Sequence, residues 1–230
     1  MLQVFVGYDS HETVAFHVAA FSVMRRSSVP VSITGLRREQ LPITRPPEGS
    51  TEFTFSRFLV PWLCGYKGAA VFMDCDVLCR VDIADIFDGI SDYHAVAVVK
   101  HDYVPKSDRK FLDKEQQAYQ RKNWSSVMVF NNPLCALLTP EYVNNATGLQ
   151  LHQFKWIRDW QIGALDKSWN HLVGEYHPNP NSRIAHFTLG TPCFKKYRNC
   201  EFADEWFKEQ DAMMDYDRSG EYSKPERMEA

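Results

Sequence analysis

Asp74 and Asp76 are two carboxylates separated by one residue, directly after the apolar run Ala69-Ala70-Val71-Phe72-Met73. Alternate side chains of an extended chain point to the same side, so the pair can converge on one hard cation or on water bound to it. A divalent ion there suits a reaction in which a leaving diphosphate gains charge, as when a glycosyl group departs from a nucleoside diphosphate. The plain alternative is a turn after a buried strand, with each Asp satisfying local backbone groups. Asp215-Tyr216-Asp217 has the same spacing but follows no apolar strand and reads as solvated surface.

The elements that must position these groups read as α/β. An unbroken apolar run before Asp74 is the pattern of a fully buried strand emerging at its end, where α/β sheets bind ligands. Residues 2–6 form a second such strand ending in Gly7-Tyr8-Asp9-Ser10. A helix follows, with Val14, Val18, Phe21 and Ser22 on one face, and Asp9 with Glu12 has the form of a capping box. Further strands are expected over 29–34, 95–99, 127–130 and 184–187, and helices over 54–63, 140–145 and 203–215. Phe55, Phe58, Leu59 and Trp62 share a face in the first of these helices, Pro61 limits it and Gly65 closes it. Residues 40–50 are a surface loop. With 230 residues, 44% of them hydrophobic, one domain over 1–217 is expected, followed by a polar tail over 218–230 that frays.

Composition excludes several classes. A formal charge of −3 offers no footprint for nucleic acid. No apolar run approaches the roughly 18 residues of a membrane span and the N-terminus has no basic leader, so a cytoplasmic protein without an integral membrane segment is expected. The six cysteines, at 64, 75, 79, 135, 193 and 200, read as free thiols, and Cys75 with Cys79 has no second pair at zinc-site spacing. Gly7 to Ser10 lacks the glycine-rich turn of a dinucleotide-dependent oxidoreductase.

Several segments, in order, are similar to the family-eight glycosyltransferases, the group containing glycogenin and bacterial lipopolysaccharide galactosyltransferases. They are Phe5-Val6-Gly7-Tyr8-Asp9-Ser10, Ser56-Arg57-Phe58, Val71 to Leu78 with Asp82-Ile83, Asn123 to Asn131, Trp169-Asn170-His171-Leu172 and Ile184 to Gly190. The resemblance implies a single GT-A domain with a Rossmann-like, mostly parallel mixed sheet flanked by helices. It implies transfer of a hexose from a nucleotide sugar, a UDP-sugar above all, to a carbohydrate or other hydroxyl acceptor, with retention of configuration. It also implies Mn²⁺, with Mg²⁺ as the alternative, on Asp74, Asp76 and His186, an oxygen-rich site with one imidazole.

The same resemblance assigns donor contacts to Asp74 and Cys75, and to Arg57, whose guanidinium can bind phosphate bidentately; its plain alternative is an exposed helix charge. Tyr8 would stack on a uracil and Asp9 would accept its imide proton, unless Asp9 is merely a helix cap. Asn123 and Ser125 match the donor-sugar segment, although Trp124 and Ser126 depart from the usual Asn-Ser-Gly. Asp159 and Gln161 compete for the place beneath the reacting sugar carbon, with Trp160 interrupting the usual Asp-Gln. Gly190 matches the diphosphate loop, but the lysine expected three residues later is replaced by Cys193, leaving Lys195 as phosphate contact or plain surface residue. These departures keep open a noncatalytic nucleotide-sugar or carbohydrate-binding protein on the same fold.

Overall fold

The computed structural model describes residues 1–49, 51–102 and 120–214, together with the backbone of 109–110 and 114–115. Asp215 to Asp217 and the polar tail lie outside these residues. Among the described residues, six strands form the main sheet in the order β2-β1-β3-β8-β5-β9. They are β1 (Leu2–Gly7), β2 (Val31–Leu36), β3 (Ala69–Met73), β5 (Val96–Val98), β8 (Val127–Asn131) and β9 (Ile162–Ala164). β1 is parallel to β2 and to β3, β5 is parallel to β9, and β8 runs antiparallel between β3 and β5. The sheet is thus mixed and mostly parallel. Residues 70–73 of β3 are fully buried, as a central strand covered on both faces requires.

A smaller sheet, in the order β10-β11-β4, comprises β4 (Val77–Cys79), β10 (His171–Leu172) and β11 (Ile184–His186). Because only Asp74, Cys75 and Asp76 separate β3 from β4, the chain passes from the large sheet to the small one across the aspartates. A two-residue ladder pairs β6 (Arg109–Lys110) with β7 (Lys114–Glu115).

Among the described residues the helices are α1 (Thr13–Arg26), α2 (Val60–Leu63), α3 (Pro140–Asn145), α4 (Gly148–His152) and α5 (Ala203–Met214). α1 buries Ala15, Val18, Ala19, Ser22 and Val23, a stripe at helical spacing. Val14, expected on that face, is exposed, because the small residues rather than the bulky ones let α1 approach the strands. Ser22 illustrates the fit: its hydroxyl donates to Ala19 O at 2.8 Å and accepts from the Cys79 amide at 3.0 Å. Val18, Leu78, Val173, Ala185, Phe187 and Trp206 form a second small core joining α1, the smaller sheet and α5.

The expected helix over 54–63 is a 3₁₀ turn, Ser56–Leu59, followed by one α-turn. Pro61 at the start of α2 explains the break, since it offers no amide to the preceding turn. Asp9 does cap, accepting from the His11 amide at 3.0 Å, but it caps a 3₁₀ turn, Ser10–Glu12. Glu12 does not complete a capping box. It is buried at the N-cap of α1, in line with Ala15 and Ala19. All six cysteines are free thiols. Among the described residues, no helix is long and apolar enough to cross a membrane.

Candidate metal and donor site

The site sits at the C-terminal end of β3, where buried Met73 hands over to Asp74. Phe187 N donates to Asp76 O at 2.8 Å, extending the β4–β11 ladder by one step and bringing His186 beside Asp76. Asp74, Asp76 and His186 each offer one ligand atom, all within 4.8 Å of one another. His186 Nε2 lies 3.3 Å from Asp76 Oδ1, and its Nδ1 is 2.8 Å from Asn170 Oδ1.

Arg57 is buried rather than exposed. Its Nη1 lies 2.8 Å from Asp74 Oδ1 and donates to Ser125 O at 2.8 Å, while Nε donates to Thr54 O at 3.1 Å. The guanidinium carbon lies 5.2 Å and 4.9 Å from the ring centres of Phe53 and Phe72. Nη1 and Nε are turned toward Asp74 and two carbonyls, so the guanidinium holds a carboxylate in place.

The turn after Asn123 ties both halves together. Asn123 adopts the left-handed conformation, φ 61°, which Asn tolerates better than most residues. Its carbonyl accepts from Ser126 Oγ at 2.7 Å and from Asn170 Nδ2 at 3.3 Å, and Ser126 O accepts from the Asp74 amide at 2.9 Å. Ser125 Oγ is 2.8 Å from His152 Nδ1 at the end of α4.

The remaining expected residues fall into three groups. Tyr8 and Asp9 follow β1, next to the end of β3, but both are engaged: Tyr8 packs edge-on against Phe16, and Asp9 accepts from the amides of His11 and Glu52. Cys75 has the opposite orientation from its neighbours; its side chain is fully buried, with Sγ 3.9 Å from Glu12 Oε2, so the side chain is withdrawn from any donor. Gly190, φ 140°, closes a turn by donating to Phe187 O at 2.7 Å, and a Cβ there would stand 2.3 Å from the Tyr197 ring. Lys195 is exposed on the turn Lys195–Tyr197.

Asp159 and Gln161 are not brought to the cluster. They precede edge strand β9, and Gln161 O accepts from the Ala95 amide at the N-terminal end of β5. Asp74 lies at the opposite end of the sheet, with β8 and β5 intervening between β3 and β9. Asp159 is exposed and held by Arg121 at 2.8 Å, which keeps its carboxyl below the usual range, and Gln161 Oε1 accepts from Arg158 N at 3.1 Å. Both read as turn residues.

Three residues enter the site that the sequence did not assign to it: Glu12, read there only as part of a capping box, Asn170, present only within a matched segment, and His101. Burial, then the charges of Asp76, Asp9 and Asp74, push Glu12 up to about 9, so it carries a proton at neutral pH in the metal-free protein. The spacing Glu12, Ala15, Ala19 was the available signal. His101, after β5, donates or accepts at Tyr176 OH, 2.8 Å away, and burial together with neighbouring His186 pushes it down to about 3, leaving a neutral imidazole.

No protein-family model matches the chain. It is 40% identical over 241 aligned positions to protein CDI of Arabidopsis thaliana, an alignment spanning 99% of this chain and 90% of that protein. The chain belongs to the CDI family. Among solved structures, this CDI-family chain is similar to the bifunctional glycosyltransferase WbbM, with a TM-score of 0.61 and 15% identity over 91% of this chain. It is also similar to the glycosyltransferase GlyE of Streptococcus pneumoniae TIGR4, with a TM-score of 0.58 and 15% identity over 98% of this chain. A third is the galactosyltransferase LgtC, with a TM-score of 0.55 and 11% identity over 95% of this chain and 98% of that one. The chain spans 49% of the length of WbbM and 65% of that of GlyE. The fold of this chain is therefore that of the GT-A glycosyltransferases.

Proposed function

We propose that this protein is a glycosyltransferase of the family-eight type, moving a hexose from a UDP-sugar to an acceptor hydroxyl with retention of configuration. The observation that carries the reading is the convergence of Asp74, Asp76 and His186 at the end of the central strand of a GT-A fold. LgtC, on the same fold, has been crystallised with donor and acceptor sugar analogues.

Two carboxylates and one imidazole suit Mn²⁺, or Mg²⁺ in its place, better than a thiolate-seeking metal. Bound there, the ion would supply Lewis-acid stabilisation of the charge on the departing diphosphate. The chain's own groups do the positioning. Arg57 holds Asp74, the Phe187 amide holds Asp76, and Asn170 holds His186. Donor contacts are proposed at Tyr8, Asp9, Asn123, Ser125, Gly190 and Lys195. With Asp159 and Gln161 distant, the polar pair Ser125 and His152, joined to Asp74 through Arg57, is the group proposed to face the sugar.

Release of nucleoside diphosphate from a panel of nucleotide sugars, with Mn²⁺ and with chelator, tests this. Metal-dependent release from one UDP-sugar, abolished in a folded Asp76→Asn variant, is the expected result. Undiminished turnover by that variant would sink the assignment, and silence across donors and acceptors would favour a binding protein.

A further inference from the structure

We infer that Asn170 is the positioning residue that sets the tautomer of His186, and with it which ring nitrogen is offered to a metal. The inference rests on the metal-centre reading above and goes beyond it by naming the group that prepares one ligand.

Asn123 O has no proton to give, so the amide atom of Asn170 that lies 3.3 Å from it must be the NH₂ group. The same NH₂ donates to Ser126 Oγ at 2.8 Å, whose own proton goes to Asn123 O at 2.7 Å. Asn170 Oδ1 is left facing His186 Nδ1 at 2.8 Å, and an amide oxygen only accepts. Nδ1 must therefore carry a proton. Nε2, 3.3 Å from Asp76 Oδ1, is then the nitrogen that can give up its proton and bind a cation.

Asn170 and Ser126 are both buried, as is His186, so bulk water does not readily replace any partner in this chain. The left-handed turn at Asn123 is what aims its carbonyl at Asn170. Ligating histidines generally need such a partner on the far nitrogen, and removing it lowers metal affinity about 10- to 100-fold.

The test compares wild type, Asn170→Leu and Asn170→Asp, with thermal unfolding as the check on folding. Asn170→Leu removes the acceptor at similar volume; Asn170→Asp keeps an acceptor for Nδ1. Mn²⁺ affinity by calorimetry should fall about 10- to 100-fold in Asn170→Leu and stay within a few-fold of wild type in Asn170→Asp. In chelator, nitrogen-15 spectra of labelled histidine, assigned with a His186→Gln control, should show a protonated Nδ1 at His186 in wild type and Asn170→Asp but not in Asn170→Leu. Equal affinities in wild type and a folded Asn170→Leu would overturn the inference, as would an unchanged Nδ1 signal. If wild type binds no Mn²⁺, the metal-centre reading fails, while the nitrogen-15 comparison still decides the role of Asn170 by itself.

Discussion

Replacing Arg57 by Met separates a structural guanidinium from a donor-binding one. Met keeps much of the apolar stem but removes the charge that neutralises Asp74 and the donors that satisfy Thr54 O and Ser125 O. Arg57 and Asp74 have side-chain exposures of 6% and 13%, so water compensates little. Breaking a buried pair from one side costs about 3–5 kcal/mol. For a chain of this size that lowers Tm by roughly 6–20 °C. Calorimetry in chelator measures it directly. The double variant Arg57→Met/Asp74→Asn should recover a large part of the loss, because no unpaired carboxylate is left behind. Mn²⁺ should stabilise the single variant more than wild type, since bound cation is linked to folding through its affinity and the site has lost a competing charge. A Tm within about 2 °C of wild type, with donor affinity alone reduced, would refute the structural role and restore Arg57 as a diphosphate contact.

Two further predictions address Glu12 and Gly190. The folded state raises Glu12 from an ordinary 4.5 to about 9, so in chelator the protein should lose stability as pH rises from about 4.5 toward 9. Glu12→Gln, which mimics the protonated acid, should flatten that slope in urea unfolding at pH 5 and pH 8; parallel slopes would show that Glu12 is charged in the fold. Gly190→Ala forces a side chain into φ 140° and onto the Tyr197 ring, and should cost about 1–3 kcal/mol in the same assay.

Much of the fold was legible because long apolar runs and caps carry their own signals. β1, β3, β8 and α3 are readable from runs such as Ala69 to Met73 and from Thr139 before Pro140. β4, β9 and β10 are only two or three residues long and their pairing depends on strands far away in sequence, whereas β5 and β11, equally short, were legible within the longer runs 95–99 and 184–187. Within the site, Asp74 and Asp76 stood out because a carboxylate pair ends a buried strand. The place of His186 came from resemblance alone, since nothing in Ile184 to Phe187 says which residue of another sheet it will face. The burial of Arg57 and the exposure of Asp159 were not legible for one reason: whether a charge is buried or exposed is decided by partners such as Phe53, Phe72 and Arg121 that local pattern does not specify.

The passage of the chain from one sheet to the other through Asp74, Cys75 and Asp76 has a mechanical consequence. Asp74 ends the large sheet, whereas Asp76 and His186 belong to the smaller one, which shares its own hydrophobic cluster with α1 and α5. A cation gripping all three would act as a rivet across this seam. Amide hydrogen exchange should then slow collectively in β4, β10, β11 and α5 when the rivet is in place, with β2 at the outer edge of the large sheet changing little. The two sheets would open as separate cooperative units without it and as one with it, making backbone protection at Trp206 a remote gauge of whether the centre is filled.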